Sequence, residues 1–233
     1  MKLSSLKVLS IIPARGGSKG VPRKNIKDLN GKPLIAYSIE SSLESSFIDI
    51  TVVTSEDEEI IQVSKKLGAD VIYRPKELAS DAASTMPVVK HALDKLLSRG
   101  KSFDIVIVLQ PTSPLRDSDT IDKAFKLFTE QDADALISVT ELDIEVFKSF
   151  VINKDGYLSG AINSKYPFTR RQDLPKAYLA NGAIYMIKTK VFNENKTLIT
   201  DKTVPFIMKK ENSVNIDTQE DFNRASELLR VKK

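Results

Sequence analysis

Short runs of Val and Ile alternate along the chain with segments in which apolar residues recur every three or four positions. Each run is bounded by polar or turn-forming residues, a pattern typical of buried β-strands. The central runs are apolar on both faces, so we expect these strands to lie inside a covered sheet. The runs predict strands at 7–13, 50–54, 70–73, 104–109, 135–140, 182–187 and 204–208.

The segments between the runs carry the spacing of amphipathic helices. Pro33 is placed for the first turn of a helix whose apolar residues, from Ile35 to Leu43, recur four positions apart. Near the end of the chain, Thr218 and Asp221 predict a capping box that opens a last helix. Two more helices are predicted by apolar residues at Val89, Ala92, Leu93 and Leu96 and at Ile121, Ala124, Phe125 and Phe128.

This alternation predicts an α/β fold with a mostly parallel, doubly wound, Rossmann-like sheet that helices cover on both faces. The 233 residues suit one well-buried domain, and we expect a single domain over 1–233. In such sheets ligands bind at the carboxyl ends of the strands, which is where the first loop of the chain is expected to lie.

The alternation breaks after about residue 141. Residues 146–152 and 157–162 flank the turn sequence NKDG and predict a β-hairpin, and the polar stretch 163–175 follows it. We therefore expect an inserted arm over 142–175. A hairpin that interrupts an α/β domain is expected to cover a site or a partner subunit.

Composition and charge exclude several functions. The 35 Lys and Arg residues outnumber the 31 Asp and Glu by only four, and they are interspersed with acids, so nucleic-acid binding is not expected. The chain has no cysteine, which excludes disulfides, thiolate nucleophiles and Cys-ligated zinc and fits a reducing compartment. No apolar stretch approaches the length of a membrane span or of a signal peptide, so we expect a cytoplasmic protein with no membrane partner.

Candidate chemistry begins in the segment IIPARGGSKG at 11–20, where an apolar strand gives way to glycines and cations. Glycines let backbone N–H groups approach a ligand, and the cations Arg15, Lys19, Arg23 and Lys24 surround one short segment. The segment fits neither the P-loop nor the dinucleotide fingerprint. A triphosphate would compensate the clustered charge, and a glycine turn with solvated Arg15 and Lys19 is the alternative.

The segment IIPARGGSKGVPRKN resembles the opening motif of the acylneuraminate cytidylyltransferases, also called CMP-sialic acid synthetases. Three further stretches are similar to that family, RPKELASDAAST at 74–85, LQPTSPLR at 109–116 and RRQDLPKAYLANGAIY at 170–185. NIDTQEDF at 215–222 matches with one change. The resemblance extends over nearly the whole chain and implies a nucleotidyltransferase that joins CMP from CTP to a nine-carbon acidic sugar and releases pyrophosphate.

The resemblance implies two groups of residues for the nucleotide. The first loop holds the phosphates and the ribose through Arg15, Gly16, Gly17, Ser18, Lys24 and Asn25. Arg74, Ala83 and Ser84 are implied to read the cytosine, with Asp81 shaping their loop. Without the resemblance, an Arg after a strand end such as Arg74 is most often a solvated charge.

For the sugar acid, the resemblance implies contacts from two segments of the main domain and from the arm. Gln110 and Ser113 follow a buried strand, and Arg171 is the implied clamp for the sugar carboxylate, because a guanidinium pairs with both carboxylate oxygens. Lys148 is a second candidate from the arm. Asn181 and Tyr185 bracket NGAIY, where Tyr185 fits a core position equally well.

A nucleoside triphosphate implies Mg²⁺ or Mn²⁺, which one or two carboxylates hold together with phosphate oxygens. Asp217 is the implied metal ligand, and Asn215 stands where the family has a second carboxylate. Arg15, Lys24 and Asp217 are the implied catalytic residues, and the lone histidine, His91, is expected to be solvated. A homodimer, in which the arm closes the partner's sugar pocket, is also implied.

N-acylneuraminate is the family's commonest substrate, and legionaminate and pseudaminate remain alternatives. A nucleotide-binding regulatory homologue with weak turnover is the rival interpretation, and the amide at Asn215 is the feature that favours it.

Overall fold

The computed structural model of the chain describes residues 6–80 and 84–231. Its larger sheet is seven-stranded. The strands are β1 Val8–Pro13, β2 Asp28–Leu29, β3 Lys32–Pro33, β4 Ile50–Ser55, β5 Asp70–Tyr73, β6 Ile105–Val108, β7 Ala135–Leu142, β8 Phe150–Ile152, β9 Leu158–Gly160, β10 Ala177–Lys188 and β11 Thr203–Ile207. The helices are α1 Leu34–Leu43, α2 Glu58–Lys66, α3 Thr85–Leu97, α4 Ser118–Glu130, α5 Thr189–Asn195 and α6 Gln219–Val231.

The strand order in the large sheet is β11-β7-β10-β6-β1-β4-β5. β1 pairs in parallel with both β4 and β6, β4 with β5, and β7 with β11. Only β10 among the described strands of this sheet runs antiparallel, between β6 and β7. The prediction of a mostly parallel α/β sheet is therefore confirmed.

Both faces of the sheet are buried, and the alternation along β1 shows why. Val8 and Ile12 belong to one apolar cluster, which also contains residues of α1, α2 and α4. Leu9 and Ile11 point to the opposite face and pack in a second cluster with residues of α3 and α5. Successive strand residues point to opposite faces, so strands that are apolar at every position need helices on both sides.

Most predicted elements are confirmed to within two residues. β10 is longer than its predicted strand because it begins at Ala177, and α2 and α5 were not predicted. Pro33 is the residue just before α1 rather than part of its first turn. The capping box is present, since Thr218 Oγ1 donates to Asp221 at 2.8 Å and the Asp221 N–H donates back to Thr218 Oγ1 at 3.2 Å.

The region predicted as an arm contains the hairpin of β8 and β9, which pair from Phe150–Gly160 to Ile152–Leu158. The first hairpin strand starts later than predicted because 144–148 form a 3₁₀-helix. Asn153 closes the turn, accepting the Gly156 N–H on its backbone oxygen and the Tyr157 N–H on its side chain. Large apolar side chains of the hairpin are exposed, so this surface lacks a covering layer in a single chain.

Among the helices of the described residues, none combines the length and the apolar character needed to cross a membrane.

Candidate active site

Four neighbouring parallel strands end at the same edge of the sheet and bring polar side chains together. Arg15 follows β1, Glu56 follows β4, Arg74 follows β5 and Gln110 follows β6. The sheet order β6-β1-β4-β5 makes these four loops adjacent. This is the edge at which parallel α/β sheets bind their ligands, as the sequence predicted.

A cavity of about 360 Å³ opens at this edge, within the size range of small-molecule sites. Its described lining residues include four cations, Arg15, Lys19, Lys24 and Arg74, and one carboxylate, Asp217. The excess of positive charge favours an anionic ligand. Uncharged lining residues are Pro13, Ser18, Gly20, Asn25, Ser84, Thr85, Val88, Gln110, Pro111, Thr112 and Asn215.

The first loop is fixed by its own side chains and by close packing. Asn25 is buried, and its Nδ2 donates to the Arg15 carbonyl at 2.9 Å, which holds the two ends of the loop together. Gly20 lies directly against the C-terminal segment, because a Cβ at this position would be 2.0 Å from the Asp217 carbonyl oxygen. Only glycine allows the two backbones to approach this closely.

Lys24 joins the first loop to the C-terminal segment. Its Nζ donates to the Ile216 carbonyl at 2.6 Å and lies 3.6 Å from Asp217 Oδ1. The Ile216 N–H in turn donates to the Thr112 carbonyl at 2.8 Å. The loops that follow β1 and β6 and the segment before α6 therefore form one wall of the cavity.

Asn215 and Asp217 lie side by side at the cavity. The Asn215 Nδ2 donates to Asp217 Oδ2 at 2.7 Å, and the Asn215 Oδ1 is buried with no hydrogen-bond partner among the described residues. The Asp217 side chain is 69% exposed. No group of three or more His, Asp or Glu side chains with metal-binding spacing occurs within 6–80 and 84–231.

This donor set fits a magnesium ion that takes most of its ligands from phosphate and water, because one exposed carboxylate is what such a site requires of the protein. In the present geometry Asn215 orients the Asp217 carboxylate through its amide N–H. Direct ligation by Asn215 would require the amide to turn, so that its oxygen faces the carboxylate side.

Arg74 is buried, with 4% of its surface exposed, so the alternative of a solvated charge is wrong. Its Nη2 donates to Glu56 Oε2 at 3.1 Å, and its backbone N–H donates to the Ser55 carbonyl at 2.8 Å. Burial lowers the pKa of the Arg74 guanidinium, and Glu56 opposes that shift. Ser84 lies on the same cavity, and Asp81 and Ala83 lie outside the described residues.

The sugar candidates of the main domain separate into one cavity residue and three interior residues. Gln110 lines the cavity, and its Oε1 lies so near Gly182 that a Cβ there would be 2.4 Å away. Ser113 is buried and donates to the Asn181 carbonyl at 3.0 Å. Asn181 is buried too. Its side-chain amide forms hydrogen bonds with Ser138, Ser213, Met208 and the Ala183 N–H.

Tyr185 packs at the edge of the second apolar cluster, and burial raises the pKa of its hydroxyl. None of Ser113, Asn181 and Tyr185 is among the described lining residues of the cavity.

Both arm candidates lie outside the described lining of the cavity in their own chain. Lys148 Nζ donates to the Thr169 carbonyl at 2.9 Å. Arg171 forms an ion pair with Glu145, and its side chain is mostly exposed. Neither residue therefore contacts this cavity within the part of the chain that the structure describes.

Two sequence-based expectations about charged groups were wrong. Arg23, grouped with the phosphate cations, instead pairs with Asp57 and Glu59 and is absent from the described lining of the cavity. His91, expected to be solvated, has both ring nitrogens buried, and the described residues offer them no hydrogen-bond partner. Burial lowers the pKa of His91, with further lowering by Lys95.

Sequence analysis missed two residues that shape the site. Glu56 accepts hydrogen bonds from both Gly16 and Arg74, and its place directly after a strand next to β1 was the available signal. Arg116 is fully buried and donates to the Ala183 carbonyl at 2.9 Å and to Ser38 Oγ at 2.7 Å. Burial lowers the pKa of Arg116 to about 9.

Comparison with known proteins finds a matching family model and several similar proteins. A family model described as Cytidylyltransferase matches residues 9–230. A pseudaminic acid cytidylyltransferase of Campylobacter jejuni serotype O:2 is 38% identical over 227 residues, which are 97% of this chain and 97% of that protein. The CMP-N,N'-diacetyllegionaminic acid synthase of Legionella pneumophila is 32% identical over 97% of each chain. An N-acylneuraminate cytidylyltransferase of Streptococcus agalactiae serotype V is 33% identical over 93% of this chain and 52% of its own length.

Solved structures share the fold at lower identity. CMP:2-keto-3-deoxy-manno-octonic acid synthetase complexed with CTP superposes with a TM-score of 0.74 at 18% identity, covering 97% of this chain and 100% of that one. The 4-diphosphocytidyl-2C-methyl-D-erythritol synthase of Anaerococcus prevotii gives 0.65 at 14% identity, with 97% and 99% covered. The family model and the relatives at 33–38% identity confirm the resemblance stated from the sequence motifs.

Proposed function

The chain belongs to the cytidylyltransferase family, and from that premise we propose that it joins CMP from CTP to a nonulosonic acid, a nine-carbon acidic sugar. The anomeric hydroxyl oxygen bonds to the α-phosphorus of CTP. The bond from that phosphorus to the bridging oxygen breaks, pyrophosphate leaves with the bonding electrons, and the hydroxyl proton passes to solvent water. Negative charge therefore accumulates on phosphate oxygens during the reaction.

The observation that carries this proposal is the cationic cavity at the carboxyl edge of β1, β4, β5 and β6. Arg15, Lys19 and Lys24 place positive charge on the phosphate side, and Ser18 adds a hydroxyl group. Arg15 and Lys24 act catalytically by neutralising the charge that develops at the α-phosphorus and on the leaving pyrophosphate. Arg74 and Ser84 line the same cavity, and they suit a contact with the base.

A divalent cation, Mg²⁺ or Mn²⁺, belongs to this proposal because CTP carries one. Asp217 would hold it, and the Asn215 N–H keeps the Asp217 carboxylate in place. When bound, the ion supplies positive charge that offsets the phosphate oxygens. Lys24 lies close enough to Asp217 to reduce the electrostatic repulsion between that carboxylate and the nucleotide phosphates.

We further propose a homodimer. Apolar side chains of the hairpin and its surroundings are exposed, among them Ile152 with 74% and Phe168 with 83% of its surface accessible. Such a surface favours a partner protein that covers it, and we assign that role to a second copy of this chain. In that assembly Lys148 and Arg171 would reach the cavity of the neighbouring subunit and bind the sugar carboxylate. A cytoplasmic location, with neither nucleic acid nor membrane as partner, completes the proposal.

The acid itself is a nonulosonic acid of one of three kinds. N-acylneuraminate, pseudaminate and legionaminate are each the named substrate type of a relative, and the pseudaminic and legionaminic relatives match along nearly their whole length. A regulatory homologue with weak turnover is the second candidate, because an amide at Asn215 adds no negative charge to the metal site.

The test is pyrophosphate release by the full chain with Mg²⁺, comparing CTP, UTP, ATP and GTP against the three acids. We expect release with CTP and one or more of the acids, and little with the other nucleotides. Binding of CTP without release would support the regulatory interpretation. An Asn215→Asp variant that then gained turnover would identify the missing carboxylate as the cause.

A further inference from the structure

Glu56 stands between the two halves of the proposed nucleotide site. It follows β4, and β4 lies between β1, which leads into the first loop, and β5, which leads into Arg74. Its Oε1 accepts the Gly16 N–H at 2.8 Å, and its Oε2 accepts Arg74 Nη2 at 3.1 Å. Each carboxylate oxygen thus binds a different half of the site.

Glu56 and its ion-pair partner Arg74 are both largely shielded from solvent. The side chains of Glu56 and Arg74 are 15% and 5% exposed, so their ion pair is sheltered from solvent. Arg74 Nε is buried without a partner among the described residues, which leaves Glu56 as the carboxylate that compensates this guanidinium. A sheltered, charge-assisted contact of this kind fixes geometry more firmly than an exposed pair does.

The backbone beneath Glu56 is also held in place. The Asp57 N–H donates to Ser55 Oγ at 3.1 Å, and Asp57 Oδ1 accepts the Ile60 N–H at 3.1 Å as the cap of α2. Arg23 Nη2 donates to Asp57 Oδ1 at 3.1 Å from the first loop. Glu56 therefore projects from a fixed point toward Gly16 and Arg74.

We propose that Glu56 is a positioning residue that sets the phosphate loop and Arg74 at a fixed separation, so that base and triphosphate bind together. This inference rests on the proposed function and extends it. Glu56 acts through Gly16 and Arg74 rather than by touching the nucleotide, since it is absent from the described lining of the cavity. Because the Gly16 N–H donates to Glu56 in this structure, it stabilises the conformation of the first loop.

Glu56→Gln tests the proposal because glutamine offers one acceptor oxygen where glutamate offers two. One of the two contacts must break, and an amide N–H then faces either the Arg74 guanidinium or the Gly16 N–H. We expect CTP to bind about tenfold more weakly by calorimetry, with a smaller CTP-to-UTP preference if the Arg74 contact is the one lost. Glu56→Asp, whose shorter side chain cannot span both partners, is the second variant and should behave alike.

Glu58→Gln is the matched control. Glu58 is exposed in the first turn of α2, where its Oε1 accepts from Gln62 at 2.6 Å, so the same chemical change should leave CTP affinity unaltered. A double-mutant cycle with Arg74→Gln separates positioning from general loosening. If Glu56 acts on base selection through Arg74, Glu56→Gln should not change the CTP-to-UTP ratio further in the Arg74→Gln background.

Binding measurements distinguish this inference from the proposed function. If the wild-type protein binds CTP but releases no pyrophosphate with any nonulosonic acid, that result contradicts the proposed reaction. The effect of the Glu56 variants on CTP binding can still be measured in that case. The inference is overturned if folded Glu56→Gln and Glu56→Asp both bind CTP and UTP within about twofold of the wild type.

Discussion

Lys24 and Ile216 are 192 positions apart in the chain, yet the ammonium group of Lys24 donates a 2.6 Å hydrogen bond to the Ile216 carbonyl. This contact brings a cation from the first loop beside the carboxylate of Asp217 and leaves the Lys24 side chain only 12% exposed. A sheltered lysine of this kind interacts more strongly with a phosphate than a solvated one does. The contact also sets the distance between the phosphate cations and the proposed metal ligand.

Replacing Lys24 by Gln should therefore reduce turnover far more than stability. The neutral amide cannot offset the charge that develops on the phosphate oxygens, and we expect kcat to fall by about a hundredfold. Pyrophosphate release under saturating CTP and sugar measures kcat, and thermal unfolding measures stability.

Lys27→Gln is the matched control for Lys24→Gln. Lys27 Nζ also reaches the C-terminal region, donating to Gln219 at 2.7 Å and lying 4.9 Å from the centre of the Phe222 ring, but it is outside the described lining of the cavity. Its loss should leave kcat within about twofold of the wild type. Equal kcat losses in the two variants would show that Lys24 has no specific role in the reaction.

Asp217→Asn should change the metal requirement. An amide adds no negative charge to the ion's ligands, so the Mg²⁺ concentration that gives half-maximal activity is expected to rise about tenfold. A magnesium titration of pyrophosphate release at fixed CTP measures this shift.

Asp221→Asn is the comparison variant for Asp217→Asn, four residues later in the chain. Asp221 accepts the Thr218 N–H at 2.8 Å in the capping box of α6, so its replacement should lower the free energy of unfolding by about 1 kcal/mol. Asp221 also accepts the Asp217 N–H at 3.1 Å, but this variant keeps the Asp217 carboxylate itself, so the magnesium dependence should shift far less than in Asp217→Asn. The same magnesium shift in both variants would indicate a general distortion of the C-terminal segment.

Gly182→Ala tests whether Gln110 contacts the sugar. Gly182 has φ +73°, and an added Cβ would lie 2.4 Å from Gln110 Oε1, so the glutamine side chain has to move. We expect KM for the nonulosonic acid to rise about tenfold while KM for CTP changes little. Gly100→Ala has the same φ with open space around it, so it reproduces the backbone strain of about 1 kcal/mol without displacing Gln110.

Local sequence signals were sufficient for most of the elements and for the side of the sheet that carries the site. Strands such as β1 and β6 are apolar at nearly every position, and this pattern requires helices on both faces. The loop after β1 then had to lie at the carboxyl edge, whatever the order of the strands. Arg15, Lys24, Asn25 and Gln110 were found from this rule and from the family motifs.

The remaining features depend on pairings between distant segments, which local patterns do not specify. The antiparallel insertion of β10 between β6 and β7 places Asn181 in the interior and outside the described lining of the cavity. Arg23 and Arg74 are equivalent in local sequence terms, as arginines in polar loops. Their partners Asp57 and Glu56 come from the loop between β4 and α2, and only the fold brings them into contact.

The contact between Arg23 and Asp57 should make the stability of the protein depend on pH. The hydrogen bond from Arg23 holds the pKa of the Asp57 carboxyl below its usual range. Since the folded-state pKa is lower than the unfolded one, the stabilisation is present above the unfolded pKa and is lost as the pH falls through the folded one. Asp57→Asn keeps an N-cap acceptor but removes the charge that pairs with Arg23, so it should cost about 1 kcal/mol at neutral pH, and the difference from wild type should shrink below about pH 4.

Urea unfolding of both proteins across this pH range gives the comparison. An Arg23→Gln background should flatten the acid dependence that Asp57 contributes, because the group that lowers its pKa is gone. A stability difference that stays constant from neutral to acid pH would mean that the ionisation of Asp57 does not contribute to stability.

The proposed exchange of arms predicts complementation between two inactive variants. Arg15→Ala removes a phosphate cation of a subunit's own cavity, and Arg171→Ala removes a carboxylate clamp that the subunit would lend to its partner. Each variant alone should have no appreciable turnover. After joint refolding, half of the dimers should be mixed, and each mixed dimer has one cavity with both arginines, so about a quarter of wild-type activity should return. If each cavity used its own Arg171, the same mixture would remain inactive, because the mixed dimer would then have one defective arginine in each of its cavities.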